Sequence, residues 1–209
     1  MEGYQFLKDN YSILAPFVLL MGLQVAMAII VVNVPLIATD LLNIRIDTAG
    51  FLMVVPVGVG TLLGASIIPR LLRSGKRKKG VIEFSLAALT AVILFFVFVI
   101  PLLTSYWPRM FVSMLAIVAA GFSFIGILIP SQTFIQEKTP GGLRGRVFGN
   151  FWFLVTIATV FPTIFSGAIS ELFGISTLLV ILSIFTLSFL VVFRRFGQRF
   201  LEREHANGK

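Results

Sequence analysis

The stretch RLLRSGKRKKG, residues 70–80, interrupts a long apolar sequence with a dense run of positive charge. Its six basic residues are Arg70, Arg73, Lys76, Arg77, Lys78 and Lys79. Apolar segments, 48–69 and 81–103, flank it on both sides. Each segment is close to the roughly 20 residues that a helix needs to cross a bilayer. The pattern predicts two membrane-spanning helices joined by a short basic loop.

The whole chain has the composition of a membrane protein. Of its 209 residues, 57% are hydrophobic and only 12% are charged, and the mean hydropathy is +1.00. Soluble domains carry roughly a quarter charged residues. A chain of this size could not bury so much apolar surface in one core surrounded by water. We therefore predict an all-α membrane protein that uses lipid as its solvent.

Six apolar segments are long enough to span a bilayer. They cover residues 13–38, 48–69, 81–103, 110–133, 147–170 and 175–193. A cytoplasmic N-terminal segment, 1–12, is predicted before this transmembrane domain of residues 13–193, and a basic cytoplasmic tail, 194–209, after it. The first apolar run is too long for the core of a signal peptide, so we expect it to be part of the mature domain.

The positive charges lie almost entirely on one side of the six predicted helices. Of the 17 Lys and Arg residues, only Arg45 and Arg109 fall in loops on the other side. The positive-inside rule makes the basic side cytoplasmic, with both termini inside the cell. This distribution accounts for the net charge of +8. A nucleic-acid partner is not expected, because a basic patch for nucleic acid needs a soluble domain to present it.

Residues suited to catalysis or metal binding are scarce. The chain has no cysteine, and its one histidine, His205, lies in the polar tail. No pair of carboxylates falls within a predicted span. Glu83 lies at the inner boundary of the third span, where we expect it to reach towards the basic loop. We expect neither an enzyme nor a protein that holds a metal or another cofactor.

Two blocks carry loop motifs: PVGVGTLLGASIIPRLLRSGKRKK, residues 56–79, and IPSQTFIQEKTPGGLRGRVFG, residues 129–149. The first matches part of the signature Gly-x-x-x-Asp-Arg-x-Gly-Arg-Arg at Arg73, Gly75, Lys76 and Arg77. The first glycine and the aspartate are replaced by Ile68 and Leu72. The second matches a Pro…Arg-Gly-Arg-Val loop at Pro140, Arg144, Gly145, Arg146 and Val147. The chain thus resembles the C-terminal six-helix half of a major facilitator superfamily transporter, closest to bacterial exporters of macrolides, siderophores and other drugs.

The resemblance implies a fold of two inverted three-helix repeats. An echo between IIPRLLRSG, 67–75, and GAISELFG, 167–174, agrees with such a repeat. The family also implies proton-coupled efflux of amphipathic small molecules by alternating access, in the bacterial inner membrane. The candidate gating residues in the inner loops are Arg73, Gly75, Lys76, Arg144, Gly145 and Arg146.

A second six-helix half is needed to enclose a pathway in this superfamily. A fragment of a longer transporter is the favoured interpretation, and a pair of copies or a separate partner chain remain open. A non-transporting membrane scaffold is the alternative function. The expected partners are therefore the lipid bilayer, a second six-helix unit and a small-molecule substrate.

Hydroxyl side chains form a stripe along the fifth predicted helix. At spacings of 3, 4, 3 and 4, the stripe consists of Thr156, Thr159, Thr163, Ser166 and Ser170. These spacings place all the hydroxyls on one helix face. We predict that the face lines a wet cavity, with helix packing as the alternative. The candidate pathway residues are Asn33, Ser123, Thr156, Thr159, Thr163 and Ser166.

The loop between the fourth and fifth predicted helices is expected to brace their inner ends. Because Arg144 and Arg146 are two residues apart, they cannot share one helix face. Each should engage a different neighbour, one of them a helix C-terminal carbonyl or Glu137. The loop glycines, Gly145 among them, are expected to permit a tight turn.

On the second helix, Gly60 and Gly64 are expected to pack closely against another helix.

Overall fold

The computed structural model describes the backbone of residues 11–201 and the side chains of residues 13–195. Its six long helices are α1 Tyr11–Val32, α2 Ile46–Arg73, α3 Lys78–Phe98, α4 Tyr106–Lys138, α5 Arg144–Phe173 and α6 Ile175–Leu201. No strand occurs within the described residues. Most of the predicted segment 1–12 and the end of the predicted tail 194–209, with His205, lie outside them.

Each of the six helices is long and apolar enough to cross a membrane. This confirms the predicted all-α fold with six apolar helices of membrane length. Several helices extend past the predicted spans, as α4 does with its 33 residues. At about 1.5 Å per residue, α4 is about 50 Å long, against about 30 Å for a hydrocarbon core. Hydropathy detects only the apolar part of such a helix, and the polar ends continue beyond it.

The first helix stops inside its predicted span, 13–38. It ends at Val32, where Asn33 leaves the helical conformation with φ −94° and ψ 7°. The chain then continues through a short helix and a π-helical turn, Val34–Leu36 and Ile37–Leu41. Pro35 accounts for the break, because it lacks an N–H and its ring crowds the carbonyl four residues earlier.

The second helix lies mainly against α4. A Cβ added at Gly60 would lie 2.1 Å from the carbonyl oxygen of Val118, and one at Gly121 would lie 2.5 Å from that of Val57. The backbones of the two helices therefore touch, and only glycine fits at these positions without a shift. The predicted close packing at 60–64 is confirmed.

The remaining helices form a bundle in which α1 packs on α4 and α5, and α3 packs on α4 and α6. We call the end where α1, α3 and α5 begin the basic end. There α1 and α5 meet through an apolar cluster with one residue from α4. Its members are Ile13, Phe17, Leu20, Ile135, Val147, Phe151 and Val155. The rings of Phe17 and Phe151 meet edge to face, with centroids 5.2 Å apart.

A Schellman motif ends α2 at the basic end. Gly75 has a φ of +87°, and its N–H donates to the carbonyl of Leu72 at 3.3 Å. The N–H of Lys76 donates to the carbonyl of Leu71, also at 3.3 Å. These two bonds satisfy carbonyls that a helix end otherwise leaves without partners. Backbone conformation, not lack of space, requires glycine here, since no heavy atom lies within 4 Å of a Cβ added at Gly75.

Replacing Gly75 by alanine is expected to lower the free energy of unfolding by about 1–2 kcal/mol, because a side chain is strained in the left-handed region. Gly80→Ala is the matched control. Gly80 lies in α3 with open space around it, so alanine should be neutral or slightly stabilising there. Reversible unfolding in mixed micelles measures both variants, and an equal effect at the two positions would contradict the capping role.

Candidate functional site

Asn33 forms a polar junction between α1 and α5. Its side chain is buried, with 1% exposed. Nδ2 donates to the hydroxyl of Ser166 and to the carbonyl of Ile29, each at 2.9 Å. Oδ1 accepts a hydrogen bond from the hydroxyl of Ser170 at 2.7 Å. The buried amide therefore has partners for both of its N–H groups and for its oxygen, and it ties the interrupted end of α1 to α5.

The five hydroxyls of the α5 stripe do not share one environment. Ser166 and Ser170 are buried in the junction, whereas Thr159 and Thr163 are half-buried and Thr156 is exposed. Each threonine hydroxyl donates to a carbonyl of its own helix, at distances from 2.6 to 2.9 Å. The serine end of the stripe therefore packs against α1, and the threonine part remains partly open.

Ser123 lies apart from this junction, on α4. It is buried, and its hydroxyl donates to the carbonyl of Ala119 at 2.7 Å. Close-packed Gly121 and Gly126 are its buried neighbours along the helix. Of the predicted pathway residues, the structure brings only Asn33 and Ser166 into direct contact through their side chains. The three threonines precede Ser166 on the same helix, and Ser123 belongs to a packed face.

Arg144 braces the end of α4. Its Nε donates to the carbonyl oxygen of Thr139, the residue that caps α4, at 3.1 Å. Thr139 is 1% exposed, and its hydroxyl donates to the carbonyl of Ile135 at 2.7 Å. One of the two loop arginines thus contacts a helix C-terminal carbonyl, as the sequence predicted. Arg146 lies at an exposed position in the first turn of α5.

The glycines of this loop have ordinary backbone angles. Gly141 and Gly142 lie in a 3-10 turn, Gly141–Leu143, and Gly145 lies in the first turn of α5. None of them has a positive φ, and a Cβ added at any of them would meet nothing within 4 Å. The expectation that Gly145 permits a tight turn is therefore wrong. The turn forms with φ values that other residues also adopt.

Ion pairs join the helices at the basic end. Lys78, at the start of α3, pairs with Glu137, near the end of α4. Farther along α3, a carboxylate oxygen of Glu83 lies 3.6 Å from Nζ of Lys79, and the other lies 3.9 Å from Nε of Arg194 on α6. Glu83 therefore reaches towards the basic loop, as expected. Such partly exposed pairs contribute at most about 1 kcal/mol each, so they align helix ends more than they stabilise the fold.

The other gating candidates flank the cap of α2. Arg73 and Lys76 occupy exposed positions on either side of Gly75. Gly75 has a defined structural part as the left-handed residue of the Schellman motif. The structure therefore explains the glycine at position 75 by its role in capping α2.

Two buried hydrogen-bonded contacts were not predicted from the sequence. Ser170 belongs to the stripe, and its 3–4 spacing marked it, but it was not chosen as a pathway residue although it is the second partner of Asn33. Thr90 of α3 and Thr186 of α6 join their buried hydroxyls at 3.1 Å. Nothing in the sequence pairs these two threonines, because helical spacing does not identify which helices face each other.

Among the described residues, the polar side chains that are buried as a whole carry hydroxyls or, at Asn33, an amide. Neutral donors and acceptors of this kind can bind water or the polar parts of a solute where they remain open, as along the threonine part of the stripe. No three His, Cys, Asp or Glu side chains in the described part of the chain lie together in a way that could hold a metal ion. Comparisons with protein-family models, with curated proteins and with solved structures give no match.

Proposed function

We propose that this chain is one six-helix half of a secondary transporter that exports amphipathic small molecules, coupled to protons, across the bacterial inner membrane. The observation that carries the proposal is the polar face of α5, which is partly open at Thr159 and Thr163 and closed against α1 at Asn33. The resemblance of the two inner loops to the major facilitator superfamily supports the same function. A membrane scaffold without transport activity is the alternative.

The pattern of helix packing supports two three-helix repeats. Exchanging α1 with α4, α2 with α5 and α3 with α6 converts the α2–α4 contact into α5–α1, and the α3–α4 contact into α6–α1. The contacts α1–α4 and α3–α6 are converted into themselves. All these pairs pack in the bundle. The exception is the α5–α6 contact, because its counterpart, α2 with α3, has no substantial contact. This agrees with the inverted repeats of such transporters.

The exposed helices support a second six-helix half as partner. Within their most apolar stretches, α5 is only 17% buried and α2 only 28% buried, the lowest values among the six. Their exposed side chains include Phe51 and Leu62 on α2 and Phe161 and Ile164 on α5. These are the two helices that the repeat exchange relates, as expected if both border the other half. The pathway would then lie between the halves, near the midplane.

The basic end is the cytoplasmic end in this proposal, with both termini inside, because positive loops are retained there. Alternating access requires that contacts at the two ends of the bundle open in turn. The Arg144–Thr139 brace at the basic end and the Asn33 junction towards the other end are the contacts we assign to these two gates. Arginine suits the first because its planar fork bonds more than one acceptor.

Single cysteines test whether the threonine face borders a water-filled pathway. The chain has no cysteine, so each introduced thiol is the only one. Thr159→Cys and Thr163→Cys should react with a small, membrane-impermeant thiol reagent. In the chain assembled with its second six-helix half, the reaction should reduce export of a fluorescent amphipathic dye to near background. In the same assembly, Val160→Cys and Phe161→Cys lie on other faces of α5, which lipid or the second half would cover, and they should react much less and keep their export.

The junction provides an internal control for this experiment. Ser166→Cys should stay unreactive while the junction is closed, since Ser166 is 1% exposed. Equal protection of all these thiols would contradict a wet face on α5. A chain that inserts normally and pairs with its second six-helix half, but exports no dye before labelling, would favour the scaffold.

A further inference from the structure

An apolar cavity of about 340 Å³ lies between α1, α2, α3 and α4. Its wall includes Val31 on α1, Val54 on α2, Val92 on α3 and Ala120 on α4, with Leu179 of α6 completing it. All of these positions lie in the halves of their helices remote from the basic end. The cavity is therefore separate from the loops of the basic end. Val34, beside Asn33, also lines it, whereas the interhelical hydrogen bonds of the Asn33 side chain go to α5.

No side chain that lines the cavity is polar. Water in a protein needs two to four polar partners, and an apolar cavity of about 150 Å³ stays dry and takes up benzene. The present cavity is more than twice that size, so it has room for a longer hydrocarbon. If the cavity were empty, the side chains that line it would lack dispersion contacts on that side. Hydrocarbon is the occupant that its chemistry selects.

We propose that this cavity binds one acyl chain of a membrane lipid. Sites for small molecules place a few polar groups that fix the ligand's orientation, and this wall has none. The rim opens outward, because Val31 and Val54 are 56% and 67% exposed. Where no second half covers this part of α2, the rim meets lipid chains directly, at their own depth. The proposal does not depend on whether the chain transports a solute.

Adjacent alanines on α4 provide a matched test. Ala120 lines the cavity, whereas Ala119 is exposed and is not part of the wall. Ala120→Phe fills the cavity, and Ala119→Phe adds the same ring outside it. On α3, Val92→Phe and Ala91→Phe form a second pair. Val92 lines the wall, whereas Ala91 is exposed. Helical content by circular dichroism and thermal unfolding identify any variant that fails to fold, and the other pair then carries the test.

Native mass spectrometry measures the binding directly. The chain is held in a fluorinated detergent, whose tails mix poorly with hydrocarbon, and titrated with dioleoyl phosphatidylcholine. Wild type and Ala119→Phe should retain one lipid at low concentration. Ala120→Phe should bind it about ten-fold more weakly or worse, which corresponds to losing the burial of roughly two methylene groups.

Equal lipid affinity in Ala119→Phe and Ala120→Phe would overturn the proposal, because the lipid would then bind elsewhere. The absence of a retained lipid on the wild type would overturn it as well. Naphthalene serves as a probe for a small-molecule site. If naphthalene binds in an Ala120-dependent way while the lipid does not, the cavity takes small apolar molecules and the lipid assignment is wrong.

Discussion

Gly60→Ala is expected to lower the free energy of unfolding by about 3 kcal/mol, the upper end of the cost of overpacking. The added Cβ would lie 2.1 Å from the carbonyl oxygen of Val118 and 2.9 Å from its carbonyl carbon. These are backbone atoms, so no rotamer change relieves the clash and the two helices must separate. Because α2 packs mainly on α4, separation leaves it with few other contacts. Gly60→Val should prevent a stable fold.

Gly58→Ala is the matched control on the same helix. No heavy atom lies within 4 Å of a Cβ added there, so its effect should stay within about 0.5 kcal/mol. Gly121→Ala tests the contact from the α4 side, where the added Cβ would lie 2.5 Å from the carbonyl oxygen of Val57. Unfolding in mixed micelles measures all three. Similar stability of the Gly58 and Gly60 variants would refute the close approach of the backbones.

Asn33→Leu should be the next most damaging substitution, with a loss of about 1–3 kcal/mol in the free energy of unfolding. Leucine is of similar size but makes neither of the bonds to Ser166 and Ser170. Interhelical hydrogen bonds in membrane proteins contribute about 0.6 kcal/mol on average and up to about 1.7. The loss of two such bonds, with imperfect packing of the new side chain, accounts for the expected range.

A double-mutant cycle isolates the junction from general packing effects. The cycle of Asn33→Ala with Ser170→Ala should give a coupling energy of about 0.6–1.7 kcal/mol. Thr156→Val is the control, because Thr156 is exposed and its hydroxyl bonds only to the carbonyl of Trp152. That variant should change stability by less than about 0.5 kcal/mol and show no coupling to Asn33. A coupling near zero for the serine would show that the two side chains do not interact in the membrane.

Local features could be predicted from the sequence where one residue or a short pattern decides them. The glycines at 60 and 64 were expected to allow a close helix approach, and the contact of Gly60 with Val118 bears this out. Arg144 was expected to reach a C-terminal carbonyl, and Thr139 supplies it. The glycines between α4 and α5, in contrast, were a misleading signal of a tight turn. The turn there needs no left-handed residue, and within the described part of the chain the glycines with positive φ are Gly75 and Gly174.

The sequence by itself determined the number and approximate extent of the helices. Hydrocarbon offers no partners for backbone polar groups, so each long apolar stretch must form a helix. The breaks between the stretches mark the connections. Only the tertiary structure decided which faces meet: that the Asn33 amide is satisfied by serines from α5, that the stripe divides into a packed and an open part, and that a hydrocarbon-lined cavity remains beside α4. Helical periodicity specifies which side chains share a face. The rotation of each helix depends on the packing of all its neighbours at once, through contacts between residues far apart in the chain.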